Sequence, residues 1–151
     1  AAGSTRMRAS KVAVRATNWA RDAKLNFVAH CEATGDPLPD DALAEAIVIR
    51  AENLAWAEGA PTNGGEHAVE VDPKKHAELV KTLAQQLARL DPAKKANPSA
   101  LIDKLAKPLA GDKTKGFYRK GEKRIGKRDP DHVSIDTKAA RRTWVAELAK
   151  L

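Results

Sequence analysis

The chain has 151 residues, with 27 Lys or Arg against 20 Asp or Glu, a formal net charge of +7 and a pI near 9.6. Apolar residues reach 42% but aromatics only 4%, so the expected core is thin, built from close helices held by Leu, Ile, Val and three Trp. No run approaches the ~18 to 20 apolar residues of a membrane span, and a single cysteine, Cys31, excludes an internal disulfide and fits a reducing compartment.

The first element is expected from about Arg6 to Ala33. Val12, Ala16, Trp19, Ala20, Ala23, Phe27 and Cys31 recur in steps of three and four and predict its packing face. The chain opens at Ala1, as expected of a processed, excised or partial chain. Residues 6–24, Arg/Ser/Ala-rich with one acid, loosely resemble an organelle transit peptide, but Trp19, Phe27 and Val28 continue a packing stripe into them. Thr34-Gly35-Asp36-Pro37 ends the helix. Pro39-Asp40-Asp41 opens the second, whose stripe is Leu43, Ile47, Val48, Ala51, Leu54 and Ala55, with Gly59 as C-cap.

Residues 60–71 read as a loop with a short strand at 68–71. Asp72-Pro73 then supplies an N-cap and an N1 proline to a helix carrying Leu79, Val80, Leu83, Leu87 and Leu90. Asp91-Pro92 and Asn97-Pro98-Ser99 mark breaks before a short helix near 99–106, closed by Pro108 and Gly111. Asp129-Pro130-Asp131 forces a turn. Ser134 or Asp136 caps a last helix with Ala140, Trp144, Val145, Leu148 and Leu151 inward. The prediction is an all-α, single-domain, irregular bundle of about five helices: a helical core over 1–112, a basic loop or hairpin over 113–128, and a C-terminal helix over 129–151 packed on the core. Trp19, Trp56 and Trp144, one per helix, are expected to share that core, with Trp56 off its main stripe and available to a partner subunit.

Charge is distributed in blocks. Residues 6–24 hold six bases and one acid, residues 32–78 eleven acids and three bases, and residues 81–107 six bases and two acids. Residues 113–128 (KTKGFYRKGEKRIGKR) carry eight bases against Glu122 and so match the net charge of the whole chain. Gly116, Gly121 and Gly126 keep this segment from being a regular helix and let backbone amides approach phosphate. A hairpin is one form it can take, with 117–120 and 123–128 as strands and Gly121-Glu122 as the turn. The expected phosphate contacts are Lys113, Lys115, Arg119, Lys120, Lys123, Arg124, Lys127 and Arg128, with Phe117 and Tyr118 placed to stack on an unpaired base. Lys138, Arg141 and Arg142 share one face of the last helix and extend the patch.

Other chemistries fit poorly. Gly116 to Gly121 has the gap of a phosphate-binding P-loop, yet Glu122 stands where its lysine belongs. The histidines and Cys31 lack metal-ligand spacing, and the calcium-loop opening at Asp129-Pro-Asp131 meets Ser134 in place of glycine and Ala140 in place of the terminal glutamate. Cys31 on an apolar stripe reads as a packing residue. Glu66-His67 and Asp131-His132 form no nuclease constellation.

The sequence therefore implies a non-enzymatic DNA- or RNA-binding protein with no metal, no cofactor and no membrane partner. Its expected setting is intracellular, cytoplasmic or nucleoid-associated, with an organelle kept open. The alternative is a structural subunit of an oligomer or larger assembly, joined through the opposed charge blocks.

Overall fold

The computed structural model describes the backbone of residues 19–59, 70–110, 118–120 and 132–151, and the side chains of 19–55, 71–110 and 136–151. It is a small helical bundle, as expected, with a minimal sheet added. The elements are α1 (residues 19–34), α2 (Asp40–Gly59), β1 (Glu70–Val71), α3 (Pro73–Leu87), a 3₁₀ turn (Pro92–Lys95), α4 (Pro98–Ala110), β2 (Tyr118–Lys120), β3 (His132–Ile135) and α5 (Thr137–Ala149).

Helix α2 is the axis. Leu43, Ala44, Ala46, Ile47, Val48, Ile49 and Ala51 are all buried, so the helix is covered well beyond the single stripe that periodicity predicts, while Asp41 and Arg50 stay exposed. α3 and α4 pack on it, α5 rests on both α3 and α4, and strands β2 and β3 lie against α2. Leu79, Leu83 and Leu87 of α3, Leu101, Leu105 and Leu109 of α4, and Ala140 and Trp144 of α5 complete the core.

Boundaries follow local chemistry. Gly35, in the left-handed region at φ 77°, ends α1 and donates its N–H to the Cys31 carbonyl at 2.9 Å. Asp72 caps α3 through the amides of Lys74 and Lys75, Asp91 caps the 3₁₀ turn through Ala93, and Asp136, not Ser134, caps α5 through Ala139. Pro108 does not close α4. The helix runs on to Ala110, and burial of Leu109 and Ala110 offsets much of the roughly 3 kcal/mol an interior proline costs.

Three points depart from the expected arrangement. β2 pairs antiparallel with β3, Tyr118, Arg119 and Lys120 opposite Ile135, Ser134 and Val133, while the strand expected over 123–128 lies outside the described residues. β3 also pairs in parallel with β1, Glu70 opposite His132, so the order is β1-β3-β2 with β2 an edge. The apolar β-branched run Val133-Ser-Ile135 fits a central strand better than the lysine-rich stretch does. Second, Val145 is exposed, whereas Ala140 and Trp144 are buried.

The third concerns α1. Trp19 is 68% and Phe27 46% exposed, and Ala20 and Ala23 are exposed with them; Val28 and Cys31 are buried as expected, but Arg21 is buried and Leu25 half-buried in place of the aromatics. Trp19 therefore does not share the core with Trp144, and the Trp56 side chain lies outside the described residues. The rotation has a cause in α2. Glu52 sits fully buried on the axis, a buried carboxylate requires a cation, and Arg21 supplies it. Replacing Trp19 and Phe27 together by Ser is accordingly expected to change stability by no more than about 0.5 kcal/mol per site in thermal or urea unfolding, whereas a core position would cost several times that.

Candidate nucleic-acid interface

The acids of the described region are nearly all engaged. Asp41, Asp72, Asp91 and Asp136 bind backbone amides at helix starts, and Glu32 accepts from the amide and hydroxyl of Ser99 at 2.8 and 2.6 Å. Those two bonds hold the Glu32 carboxyl below the usual carboxylate range. Asp40 pairs with Lys95 at 2.9 Å, Asp103 with Arg50 at 3.6 Å and Glu147 with Lys150 at 2.9 Å; Glu78 pairs with Arg141. Arg21 and Lys24, from the basic N-terminal block, pair with Glu52 and Glu45 of the acidic block. Among the described residues, two cations of the basic block thus pair with two acids of the acidic one.

The cations are not consumed equally. Among the described residues, Lys74, Lys81 and Arg89 of the α3 region, Lys104 and Lys107 of α4, and Lys138 and Arg142 of α5 are exposed and have no carboxylate partner. Four of these surround the Glu78–Arg141 bridge that ties α3 to α5. Lys74 and Lys81 lie one turn before and after Glu78, and Lys138 lies one turn before Arg141, with Arg142 next to it. Lys138 and Arg142 stand about 6 Å apart along their helix, and Lys74 and Lys81 about 10 Å. β1 and β3 run parallel, and each passes through a capping aspartate into its helix, so α3 and α5 begin at the same end of the sheet. That shared start places Lys74 and Lys138, both in first turns, on neighbouring helices.

Of the residues predicted from sequence, Lys138 and Arg142 are exposed as expected, while Arg141 is neutralised by Glu78. Tyr118, Arg119 and Lys120 form the edge strand β2, and Tyr118 lies at the sheet end where α3 and α5 begin, since it pairs with Ile135. Lys113, Lys115, Phe117, Lys123, Arg124, Lys127 and Arg128 lie outside the described residues. Charge patterning along the chain does not single out Lys74 and Lys81. Their signal is a seven-residue interval on the polar face of an amphipathic helix, hidden because the boundary between an acidic and a basic block falls between them.

A second polar constellation, likewise unmarked by any sequence motif, joins α1, α2 and α3. His76 Nδ1 lies 3.0 and 2.8 Å from the two oxygens of Glu52, and its Nε2 lies 3.4 Å from Glu45 Oε1. Arg21 reaches Glu52 Oε1 and Asn53 Oδ1, each at 3.0 Å, and Lys24 reaches Glu45 Oε1. Burial opposes charge on His76, yet its two carboxylate neighbours overcome this and hold its pKa above the ordinary histidine value. For Glu45 burial pulls upward, and Lys24 and His76 together bring it below the usual carboxylate range.

No helix among the described residues is long and apolar enough to cross a membrane, and no group of three or more His, Cys, Asp or Glu among them is placed to hold a metal ion. No protein-family model, curated protein sequence or solved structure matches this chain.

Proposed function

We propose that the chain is a non-enzymatic nucleic-acid-binding protein that grips phosphate backbone through Lys113–Arg128 and the helix that follows, with Lys74 and Lys81 of α3 extending the surface. The observation that carries this reading is the unequal use of charge: acids are spent on caps and internal pairs, while cations stand unpaired on adjoining helices. Phosphate neutralisation releases condensed counterions, so the reading has a quantitative signature. If about five phosphates are neutralised, log affinity for duplex DNA falls with log salt at a slope of about −4 to −5. Titrating labelled duplex DNA, single-stranded DNA and RNA at a series of salt concentrations measures it, and a slope near zero overturns the reading. Replacing Lys120, Lys123 and Arg124 together by Ala is expected to flatten the slope by about two to three units.

Assembly into a larger particle is the second reading, favoured by the outward aromatic face at Trp19 and Phe27. The internal pairing of Arg21 and Lys24 works against assembly through the opposed charge blocks, since those blocks already meet within one chain. Light scattering after size exclusion separates the two, since stable oligomers without nucleic acid would favour assembly.

A further inference from the structure

We propose that the α3–α5 surface takes a double-stranded nucleic acid, with the phosphates of one strand on Lys74 and Lys81 and those of the other on Lys138 and Arg142. The inference rests on the phosphate-binding reading above and narrows it to a substrate class. The observation behind it is that the unpaired cations of these two helices form two rows with an ion pair between them.

The rows follow from helix geometry. Lys74, Glu78 and Lys81 are spaced by four and three on the exposed side of α3, and Lys138, Arg141 and Arg142 by three and one on α5. The Glu78–Arg141 bridge joins the two faces into one surface and marks its midline. α3 and α5 are in contact, and packed helices lie about 8–10 Å apart, so the rows stand at about that separation. The minor groove of a duplex is about 6 Å wide and the major groove about 12 Å, so this spacing suits the two phosphate strands that border one groove. A single strand offers one row of phosphates. Laid on either helix, it leaves the other pair of cations unused. Laid along the midline, it brings its phosphates onto the Glu78 carboxylate.

The aromatic content of the two helices points the same way. Proteins that hold single strands stack unpaired bases on exposed aromatic side chains. Trp144 is the one Phe, Trp or Tyr of α3 and α5, and it is 0% exposed, committed to the core. These helices therefore present charge without a stacking platform. A duplex keeps its bases paired inside and its phosphates outside, which is what such a face can meet.

Fluorescence anisotropy of the whole chain tests this, with a labelled DNA duplex and one of its strands alone as probes over a salt series. The variants are K74Q/K81Q, K138Q/R142Q and the quadruple combination. All four side chains are exposed and unpaired among the described residues, so thermal unfolding should match the wild-type chain. On the duplex, each pair should flatten the log–log slope by about 1.8 units and the quadruple variant by about 3.6, at roughly 0.9 unit per phosphate. On the single strand, where one row suffices, the quadruple variant should flatten it by no more than about 1.4 units, at roughly 0.7 per phosphate. The wild-type chain should hold the duplex at least about tenfold more tightly than the strand near 0.15 M salt. Slopes near zero on both probes would remove the phosphate-binding reading and this inference with it. Salt-dependent duplex binding in which removing the second pair adds nothing to removing the first would overturn the inference alone. So would a single strand bound as tightly as the duplex.

Discussion

Replacing Glu52 by Ala is expected to destabilise the fold by about 3–5 kcal/mol, the range for removing one partner of a buried ion pair. For a chain of this size that lowers the melting temperature by about 6–20 °C. The size of the effect comes from what is left behind. Glu52 is 0% exposed and accepts from Arg21, itself only 9% exposed, and from His76. Without the carboxylate, a guanidinium stays buried with Asn53 Oδ1 as its remaining acceptor, and His76 keeps only the more distant Glu45. The attraction itself contributes far less than its loss would suggest, because burying both charges already carried a desolvation cost. Two comparisons follow. Glu52→Gln, which retains an acceptor, should cost less than Glu52→Ala. The double variant R21M/E52L should recover most of the stability, since a packed apolar pair can replace a buried ionic one at little cost. Urea unfolding of the four chains checks this, and a double variant no more stable than E52A would show that the pair sets the position of α1 and not only its charge balance.

The same residues explain what the sequence could and could not disclose. Helix starts were legible because their chemistry is local: Asp72-Pro73 and Asp136 cap the helices they precede, and the leucines of α3 keep one face at steps of four. The orientation of α1 was not legible, because two stripes competed on one helix. The stripe with both aromatics carries more apolar area, but the one with Arg21 answers a charge thirty-one residues away. Periodicity measures a helix against itself and cannot register a buried acid on its neighbour. Pro108 misled for a related reason, since its penalty is local and the burial of Leu109 and Ala110 that offsets much of it is tertiary. Turn glycines in the basic stretch suggested a hairpin partner for β2 close by; the register runs instead to Val133, Ser134 and Ile135. For the candidate interface, the three-and-four spacing of Lys138, Arg141 and Arg142 pointed to the face of α5. Summing charge by segment concealed Lys74, which stands unpaired inside an acidic block, and split it from Lys81 at the start of a basic one. A carboxylate that caps a helix is no counter-ion for a lysine on the far side of it.

Neutralising Lys74, Lys81, Lys138 and Arg142 together to Gln is expected to flatten the salt slope of duplex binding by up to about three to four units, at roughly 0.9 unit for each phosphate that is no longer neutralised. Near 0.15 M salt that amounts to an affinity loss on the order of a thousandfold, provided that each cation meets one phosphate. The substitutions leave the fold in place, since all four side chains are exposed and none is ion-paired among the described residues. The Glu78–Arg141 bridge provides the opposite perturbation. It holds a carboxylate in the middle of the four cations, so Glu78→Gln should tighten binding and steepen the slope by about one unit as Arg141 becomes available to phosphate. Loss and gain of this kind follow from net charge as well, so a localised phosphate surface is distinguished by where charge is removed, at equal total charge. A generic polycation would respond to the change in total charge alone. A surface centred on α3 and α5 would respond less when Lys104 and Lys107 of α4 are neutralised than when Lys138 and Arg142 are, although each pair removes two charges. Equal slopes for those two pairs would remove α5 as the organising element and leave only the charge of the chain as a whole.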